Sequence, residues 1–228
     1  ISNCLRLRSA AGLGFRRYCL QLELYKRWKI MSYLMLALGD GDAKGVGAVR
    51  DACASHMENA GASVVRGAAI LTGPNSGKGV MESEWDSPDA YFDNRSVWLT
   101  TPEAETAFSQ AGISSVQVAM AEINGVRGTC EGKYGVALLQ SATDSSQATT
   151  DRLLDAVNDV MIGEGANGLR SARLLTGDNA GMAMGVFFVD SLAAYFGNLQ
   201  RLLTDENVAN AFAASGLVTH RRSIIQFV

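Results

Sequence analysis

The amino-acid sequence predicts an α+β fold in which two tandem units of one chain close into a single barrel. Two observations support this prediction. Residues 29–124 align without a gap on residues 133–228 at an offset of 104 positions, and both copies contain the same predicted order of elements, β-α-β-β-α-β. A unit of about 96 residues is too long for a solenoid repeat and long enough to bury a core of its own.

The elements of the first copy follow from its apolar periodicity and its turn residues. An apolar run without a breaker suits a buried strand, and apolar residues at helical spacing before Gly61 suit a helix. Serine or threonine followed by proline, at Ser87 and Thr101, is typical of a helix start. In chain order we predict a strand at 30–38, a helix at 46–60, strands at 63–71 and 79–85, helices after Ser87 and Thr101, and a strand at 113–123.

The second copy gives the same series after a glycine-rich linker at 125–132. We predict a strand at 134–142, a helix at 149–162, strands at 167–175 and 182–189, a helical segment at 191–215 and a strand at 217–227. Each copy is then a ferredoxin-like unit, a four-stranded antiparallel sheet with helices on one face. Since the other face of each sheet would be bare, we expect the two sheets to cover each other and form a pseudo-dimeric barrel with the helices outside.

The most strongly repeated stretch is Leu-Thr-Gly-x-Asn-x-Gly, at residues 71–77 and 175–181. Glycine-rich backbone can bind phosphate, but here it joins two strands and does not lead into a helix. A tight turn that needs positive φ at asparagine and glycine is the better interpretation.

A second repeated motif, Tyr-Phe-x-Asn, falls on a predicted helix in each copy. Its aromatic residues are Tyr91, Phe92, Tyr195 and Phe196. They lie among alanine and leucine, so we expect all four side chains to pack in the core.

The distribution of charge separates residues 1–28 from the rest of the chain. The net charge is −3, yet residues 1–28 carry a surplus of 5 positive charges and the remaining 200 residues carry −8. Such an acidic body has no general affinity for nucleic acid. No apolar run reaches the roughly 18 residues that a transmembrane helix needs, so the sequence predicts neither a nucleic-acid-binding protein nor a membrane span.

Residues 1–28 are basic, rich in small residues and free of acids before Glu23, which is typical of an organelle presequence. The tripeptide Arg16-Arg17-Tyr18 before Cys19 also resembles the context of mitochondrial processing sites. The alternative is an ordered basic arm that packs on the body or on a partner. We therefore expect a mitochondrial location, with the cytoplasm as the alternative.

The four cysteines are Cys4, Cys19, Cys53 and Cys130. They share no metal-ligand spacing, and none lies at a position that is a cysteine in the other copy. We expect free thiols in a reducing compartment, with disulfides as the alternative.

The element order, the repeated hairpin, the Asp-Ser helix start and Tyr-Phe-x-Asn together resemble the dimeric α+β barrel superfamily. The similarity is greatest to proteins related to the antibiotic biosynthesis monooxygenase domain, and it covers residues 29–228. The superfamily includes haem-degrading and quinone-forming monooxygenases, haem proteins of peroxidase and dismutase type, isomerases, and members without known activity. The resemblance implies the fold and leaves the activity open.

One predicted strand carries acids where the second copy is apolar. Glu82 and Glu84 share one face of this strand, and the matching positions are Val186 and Phe188. If this face points into the barrel, two carboxylates line it, and a buried acid beside a cavity could abstract a proton. The alternative is a pair of solvated or salt-bridged structural residues.

Three arginines are candidates to pair with these carboxylates or to bind a ligand. Arg66 and Arg170 occupy the same position in the two copies, and Arg222 lies on the last strand. His220, also on that strand, is a candidate for catalysis or haem ligation, although a lone histidine is more often structural. The residues that haem-degrading relatives place around haem have no match here, so we expect no cofactor, with haem as the alternative, and no metal site.

These observations favour a non-catalytic accessory subunit of a larger protein assembly, of the mitochondrial respiratory-chain type, built on a monooxygenase-like barrel. Site positions that are apolar in the second copy indicate selection on the fold. The alternative is a small-molecule monooxygenase-like enzyme or a ligand-binding protein that uses the space between the sheets. That alternative requires a cavity on the order of several hundred Å³, and it fails if Met184, Val186 and Phe188 fill the space.

Overall fold

The structure, a computed structural model, describes residues 32–228. The first half contains β1 (Ser32–Gly39), α1 (Val46–Asn59), β2 (Ala62–Ile70), β3 (Gly79–Trp85), α2 (Pro88–Leu99), α3 (Pro102–Gln110) and β4 (Val116–Gly128). The second half contains β5 (Tyr134–Ser141), α4 (Gln147–Met161), β6 (Gly168–Leu174), β7 (Ala183–Val189), α5 (Leu192–Thr204), α6 (Glu206–Ser215) and β8 (Val218–Phe227). A short 3-10 helix, Ala43–Gly45, precedes α1.

The strands form one closed antiparallel barrel, and the predicted α+β fold with two ferredoxin-like halves is confirmed. The order around the ring is β1-β3-β2-β8-β5-β7-β6-β4, so each half contributes four neighbouring strands. The halves meet where β2 pairs with β8 and where β4 pairs with β6. Because neighbouring strands alternate in direction, strands four places apart run the same way. The pseudo-twofold axis that relates the halves therefore runs along the barrel, and both hairpin turns lie at the same end.

The helices cover the outside of the barrel and form an apolar core with each half of the sheet. In the first half Trp85 stacks on Trp98 with their ring centroids 5.6 Å apart, and Tyr91 packs edge-on against Trp85. In the second half Phe187 packs against Tyr195. These cores attach the helices to the outer face of the sheet, which leaves the inner face to the barrel interior.

The prediction that both aromatic residues of each Tyr-Phe pair lie in the core is wrong for the phenylalanines. Tyr91 and Tyr195 are buried, whereas Phe92 and Phe196 are 51% and 42% exposed. Successive residues on an α-helix point about 100° apart, so only one member of each pair can face the sheet.

The helix starts predicted from Ser87 and Thr101 are confirmed. Each side chain accepts a hydrogen bond from a backbone N–H of the following turn, with proline at the first helical position. The predicted helical segment 191–215 is two helices. Asp205 separates them, because its carboxylate caps α6 by accepting two backbone N–H bonds.

The duplication is less regular than a constant offset predicts. Tyr33 pairs with Trp85 and Tyr134 with Val189, so the first strands correspond at an offset of 101 positions, whereas the hairpins correspond at 104. Extra residues between β5 and the body of α4 account for this difference. The predicted linker 125–132 is partly strand, because β4 continues through its first four residues to pair with β6.

The predicted presequence or arm, residues 1–28, lies outside the described residues, as do Cys4 and Cys19. Cys53 and Cys130 are free thiols. Burial raises the pKa of Cys53 to about 11 and also raises the pKa of Cys130, so neither is a reactive thiolate at neutral pH. None of the helices within residues 32–228 is long and apolar enough to cross a membrane.

Candidate functional site

The alternation of side chains along β3 decides what one side of the barrel interior contains. Met81 and Trp85 pack in the outer core against the helices, so Val80, Glu82 and Glu84 at the alternate positions point into the barrel. On β7 the corresponding positions are apolar. The first half therefore contributes carboxylates to the interior, and the second half contributes an apolar wall.

A cavity of about 840 Å³ lies inside the barrel. Its wall is largely apolar, and corresponding residues of the two halves line it in pairs such as Ile70 with Leu174 and Val80 with Met184. The cavity therefore lies on the pseudo-twofold axis and exists because the two sheets close around it. Met184 and Val186 line this space without filling it, and its volume is typical of small-molecule sites.

The cavity opens at the end of the barrel that carries the two hairpin turns. Asn75 and Asn179, at corresponding positions of the turns, are half-buried at its rim. Gln117 and Arg221, which also correspond, line the rim and are exposed, as is Asp178. The rim is thus polar, whereas the wall below it is apolar.

The repeated Leu-Thr dipeptide joins the two halves at this rim. The backbone N–H of Leu71 donates to the carbonyl of Ile224 over 2.8 Å, and the hydroxyl oxygen of Thr72 accepts from the backbone N–H of Ile224 over 2.8 Å. The second half repeats both bonds, from Leu175 and Thr176 to β4. The sequence predicts that this motif forms a turn, and in the structure it also joins the two halves. We call these four hydrogen bonds, two from each copy of the motif, the clasp.

Glycine is required at the first turn for two reasons. Gly73 has a φ of 95°, a conformation that L side chains rarely adopt. A Cβ at Gly73 would also lie 2.7 Å from Ser223 Oγ, on the opposite half. The corresponding Gly177 has a φ of 84°, so the prediction of turns with positive-φ glycines is confirmed for both copies.

Four charged side chains form an ion cluster at the inner end of the cavity, comprising Arg66, Glu82, Glu84 and Arg170. Arg170 reaches from β6 to both carboxylates of β3, with Nη2 2.6 Å from Glu82 Oε2 and Nη1 2.7 Å from Glu84 Oε1. Arg66 Nη1 lies 3.0 Å from Glu82 Oε1. The cluster carries no net formal charge, and the two ion pairs of Arg170 join the two halves.

Aromatic rings close the barrel beside the ion cluster. The guanidinium carbons of Arg66 and Arg170 lie 5.5 and 5.3 Å from the centroid of the fully buried Phe188 ring. Phe227 stacks on the same ring at 5.5 Å. The cavity is therefore a cup, open at the hairpin turns and closed by charged and aromatic side chains at its floor.

The carboxylate of Glu82 is held in its ionised form. Burial by itself would raise its pKa, but the charge and hydrogen bonds of Arg170, followed by those of Arg66, outweigh burial and lower the pKa of Glu82. A carboxylate with a lowered pKa and two arginine partners is a poor base at neutral pH. These surroundings match the salt-bridged alternative better than proton abstraction.

The structure brings four of the six candidate residues together and leaves two elsewhere. The four are Glu82, which lines the cavity, and Glu84, Arg66 and Arg170 in the ion cluster. Arg222 lies on the outer side of β8 near Tyr195. Burial raises the pKa of Tyr195, and the positive charge of Arg222 offsets part of that rise. His220 is exposed, with Nε2 2.7 Å from Ser141 Oγ, and it does not line the cavity.

The basic residue that does line the cavity is Arg221, which sequence reasoning missed. It lies on the same face of β8 as Ser223 and Ile225, so alternation from the buried Ile225 would have favoured it over Arg222. The sequence alone does not choose this pattern, because the adjacent Ile224 is also apolar and points to the opposite face. The pairing of β5 with β8 also shifts register at residues 139–140.

A second space, of about 40 Å³, lies between the sheet and the helices of the first half beside Tyr91 and Trp98. It has room for about one or two water molecules. Within residues 32–228 no group of three or more His, Cys, Asp or Glu side chains is placed to hold a metal ion. The axial cavity is therefore the candidate ligand site.

Comparison with known proteins identifies the fold. The sequence matches no protein-family profile, and it matches no curated protein. A provisionally assigned monooxygenase from Lactobacillus acidophilus NCFM is similar in structure, with 7% identity, a TM-score of 0.56, and 87% of this chain and 93% of that chain covered.

Two haem-related proteins are also similar in structure. A haem-binding protein from Thermus thermophilus is 8% identical, with a TM-score of 0.53 over 87% of this chain and 92% of that chain. Chlorite dismutase from Candidatus Nitrospira defluvii is 8% identical, with a TM-score of 0.51 over 86% of this chain and 90% of that chain. At these identities the likeness shows the fold alone. The chain has the dimeric α+β barrel fold of the chlorite dismutase-like and monooxygenase-like proteins, with both ferredoxin-like halves in a single chain.

Proposed function

We propose that this protein binds an apolar small molecule in the axial cavity. The observation that carries the proposal is the cavity of about 840 Å³, with its apolar wall and polar rim. Ligand sites in proteins commonly have this size and this combination of surfaces. Removal of apolar ligand surface from water would stabilise the complex by about 25 cal/mol per Å².

The chemistry of the lining residues favours binding over catalysis. Among the described residues that line the cavity there is no histidine and no cysteine. The titratable side chains there are Glu82, which two arginines hold ionised, and the exposed Asp178 and Arg221 at the rim. Histidine is the most frequent general acid or base in enzymes, and the described lining of the cavity contains none. The monooxygenase-like and haem-related names of the structural relatives describe those proteins, and fold does not carry an activity over to this one.

Haem, the alternative cofactor, does not fit the described residues. A haem iron is held by a His, Cys or Tyr side chain, or by Met together with His. Among the described residues that line the axial cavity none is His, Cys or Tyr, and Met184 has no histidine beside it in that lining. The space between the sheet and the helices of the first half, at about 40 Å³, is far too small for a porphyrin. The proposed ligand is therefore a molecule other than haem.

Binding can be tested with Nile red, a neutral dye whose fluorescence rises in apolar surroundings. The full chain is expected to bind one dye molecule, because the described barrel has one axial cavity. Ala137→Phe adds a ring to the cavity wall and is expected to weaken binding by about tenfold or more, which corresponds to about 1.4 kcal/mol.

The matched control is Ala193→Phe, on the exposed face of α5. This variant is expected to bind Nile red like the wild-type chain, and circular dichroism checks that both variants are folded. Equal binding by the two folded variants would overturn the proposal, and so would a wild-type chain that binds no dye.

A second function, as an accessory subunit of a larger mitochondrial assembly, is supported by a feature of the helical surface. Phe92 and Phe196 occupy corresponding positions on α2 and α5 and are 51% and 42% exposed, and Leu203 on α5 is 61% exposed. Phe196 and Leu203 lie seven positions apart and so share one face of α5, and neighbouring exposed apolar side chains often mark protein interaction sites. Contact at these helices would leave the cavity mouth free, so the two functions are compatible.

The native mass of the tagged full-length protein, after mild detergent extraction of the organelles of its source cell, tests this second function. We expect migration with a complex of large mass, and we expect Phe196→Ser to weaken that association. Recovery in the mitochondrial fraction would support the location predicted from residues 1–28. Migration as a free monomer or dimer, or recovery in the cytosol, would count against this second function.

A further inference from the structure

We propose that the ligand of the axial cavity is an amphipathic monoanion, with its apolar body in the cup and its acidic head group at the rim against Arg221. The inference rests on the proposed function, since it specifies the ligand of the same cavity. It assigns a role to a residue outside the ion cluster.

Arg221 is the one basic side chain among the described residues that line the cavity. It is exposed at the rim. Its guanidinium takes part in none of the ion pairs among the described residues. Its N–H groups are therefore available to an oxyanion, which a guanidinium binds through paired, charge-assisted hydrogen bonds.

The other rim residues are suited to a polar head group. The amides of Gln117, Asn75 and Asn179 can each donate hydrogen bonds to a carboxylate oxygen. The one carboxylate at the described rim is Asp178, which lies exposed on its turn, where solvent and salt screen its charge. An acidic head group is thus expected on the side of the rim that carries Arg221.

The floor of the cavity fixes the direction in which such a molecule enters. Glu82 faces the cavity from the floor, and its arginine partners are already paired with carboxylates. An anionic head group placed there would lie beside the negative charge of Glu82 in low-dielectric surroundings, which is strongly unfavourable. The wall between floor and rim is apolar, so the apolar body is expected to lie inside and the head group outside.

A series of twelve-carbon probes with different head groups tests the inference by displacement of Nile red from the full chain. The probes are dodecanoate, dodecanol and dodecylammonium, each used below its micellar concentration. We expect dodecanoate to bind more tightly than dodecanol by about threefold to fivefold at low salt, because an exposed ion pair contributes up to about 1 kcal/mol, and we expect added salt to reduce the difference.

Two neighbouring residues provide matched variants. Arg221→Gln is expected to remove the preference for dodecanoate and to leave dodecanol binding unchanged. Arg222→Gln removes the same charge from the outer face of the same strand and is expected to keep the preference. Because both side chains are exposed, neither change is expected to unfold the protein.

The outcomes separate this inference from the proposed function. Equal binding of dodecanoate and dodecanol by the wild-type chain, or a preference that survives in Arg221→Gln, would overturn the acidic head group and leave the cavity function intact. Tighter binding of dodecylammonium would also overturn it and would indicate Asp178 instead. If the wild-type chain does not bind Nile red, or if none of the three probes displaces the dye, the proposed function itself is wrong.

Discussion

Replacement of Arg170 by methionine tests whether the ion cluster holds the two halves together. The change leaves Glu84 without its partner and leaves Glu82 paired with Arg66 alone, although the Glu82 side chain is only 8% exposed. Methionine has a similar length and can retain packing against Phe188. Removal of one partner of a buried ion pair typically costs about 3–5 kcal/mol, because the remaining charge stays buried. We expect Arg170→Met to lower the free energy of unfolding by that amount.

The matched control is Arg173→Met on the same strand. The Arg173 side chain is 52% exposed, and its Nη2 lies 2.8 Å from Glu122 Oε2. A surface pair of this kind contributes about 0–1 kcal/mol. Urea unfolding followed by circular dichroism gives the free energy of unfolding of both variants. If Arg170→Met unfolds within about 1 kcal/mol of Arg173→Met, the ion cluster does not join the halves in the way its geometry indicates.

Three further predictions concern the pH dependence, the clasp and one helix. Because the pKa of Glu82 is lowered in the folded chain, its stabilising effect is present above the unfolded value of about 4.3 and is lost as the pH falls through the folded value. The stability difference between wild type and Arg170→Met should therefore shrink in urea titrations below about pH 4, and a constant difference would contradict this. Thr72→Val removes an acceptor from a backbone N–H of the other half and should cost about 1 kcal/mol. Thr176→Val should cause a similar loss. Thr106→Val, at an exposed position of α3, should be nearly neutral, and equal losses for all three variants would refute the role of the two repeated threonines in joining the halves. In α5, a Cβ added at Gly197 would contact no other atom, so Gly197→Ala should stabilise the chain by about 0.5–1 kcal/mol. Calorimetry should show a higher melting temperature, and a lower one would contradict this prediction.

The barrel could be predicted because each half carries its own pattern. Each helix start, at Ser87 and at Thr101, depends only on the capping residue and the proline that follows it, and the structure contains both helix starts. The hairpin turns depend on glycines whose positive φ is likewise a local requirement. Each half leaves one face of its sheet uncovered by helices. In a chain with two such halves, the two uncovered faces can cover each other when the sheets close into one barrel.

Contacts between the halves could not be predicted in the same way. Thr72 bonds to Ile224, which is 152 positions away in the sequence, and Arg170 meets a glutamate 88 positions away. The repeated threonine and the repeated arginine were visible signals, but their partners depend on the stagger between β2 and β8 and between β4 and β6. That stagger follows from barrel closure and has no local sequence pattern.

The cavity rim was the hardest part to predict. Arg221 and Arg222 are adjacent and chemically alike, so the choice between them depends on strand register alone. The register shift at residues 139–140 occurs beside them, and the nearest apolar residues in β8, Ile224 and Ile225, are adjacent and point to opposite faces, so the sequence does not show which of them faces the barrel interior. The amides at the rim are single polar residues on turns, which resemble ordinary turn residues until the two turns are brought together.

The most direct test of the central claim is a crystal structure of the full chain with dodecanoate bound. We expect electron density for the alkyl chain along the barrel axis between Val80 and Met184, with the carboxylate at Arg221. Density for the probe in the space between the sheet and the helices would contradict the account. An axial cavity closed by its own leucine and methionine side chains would contradict it as well.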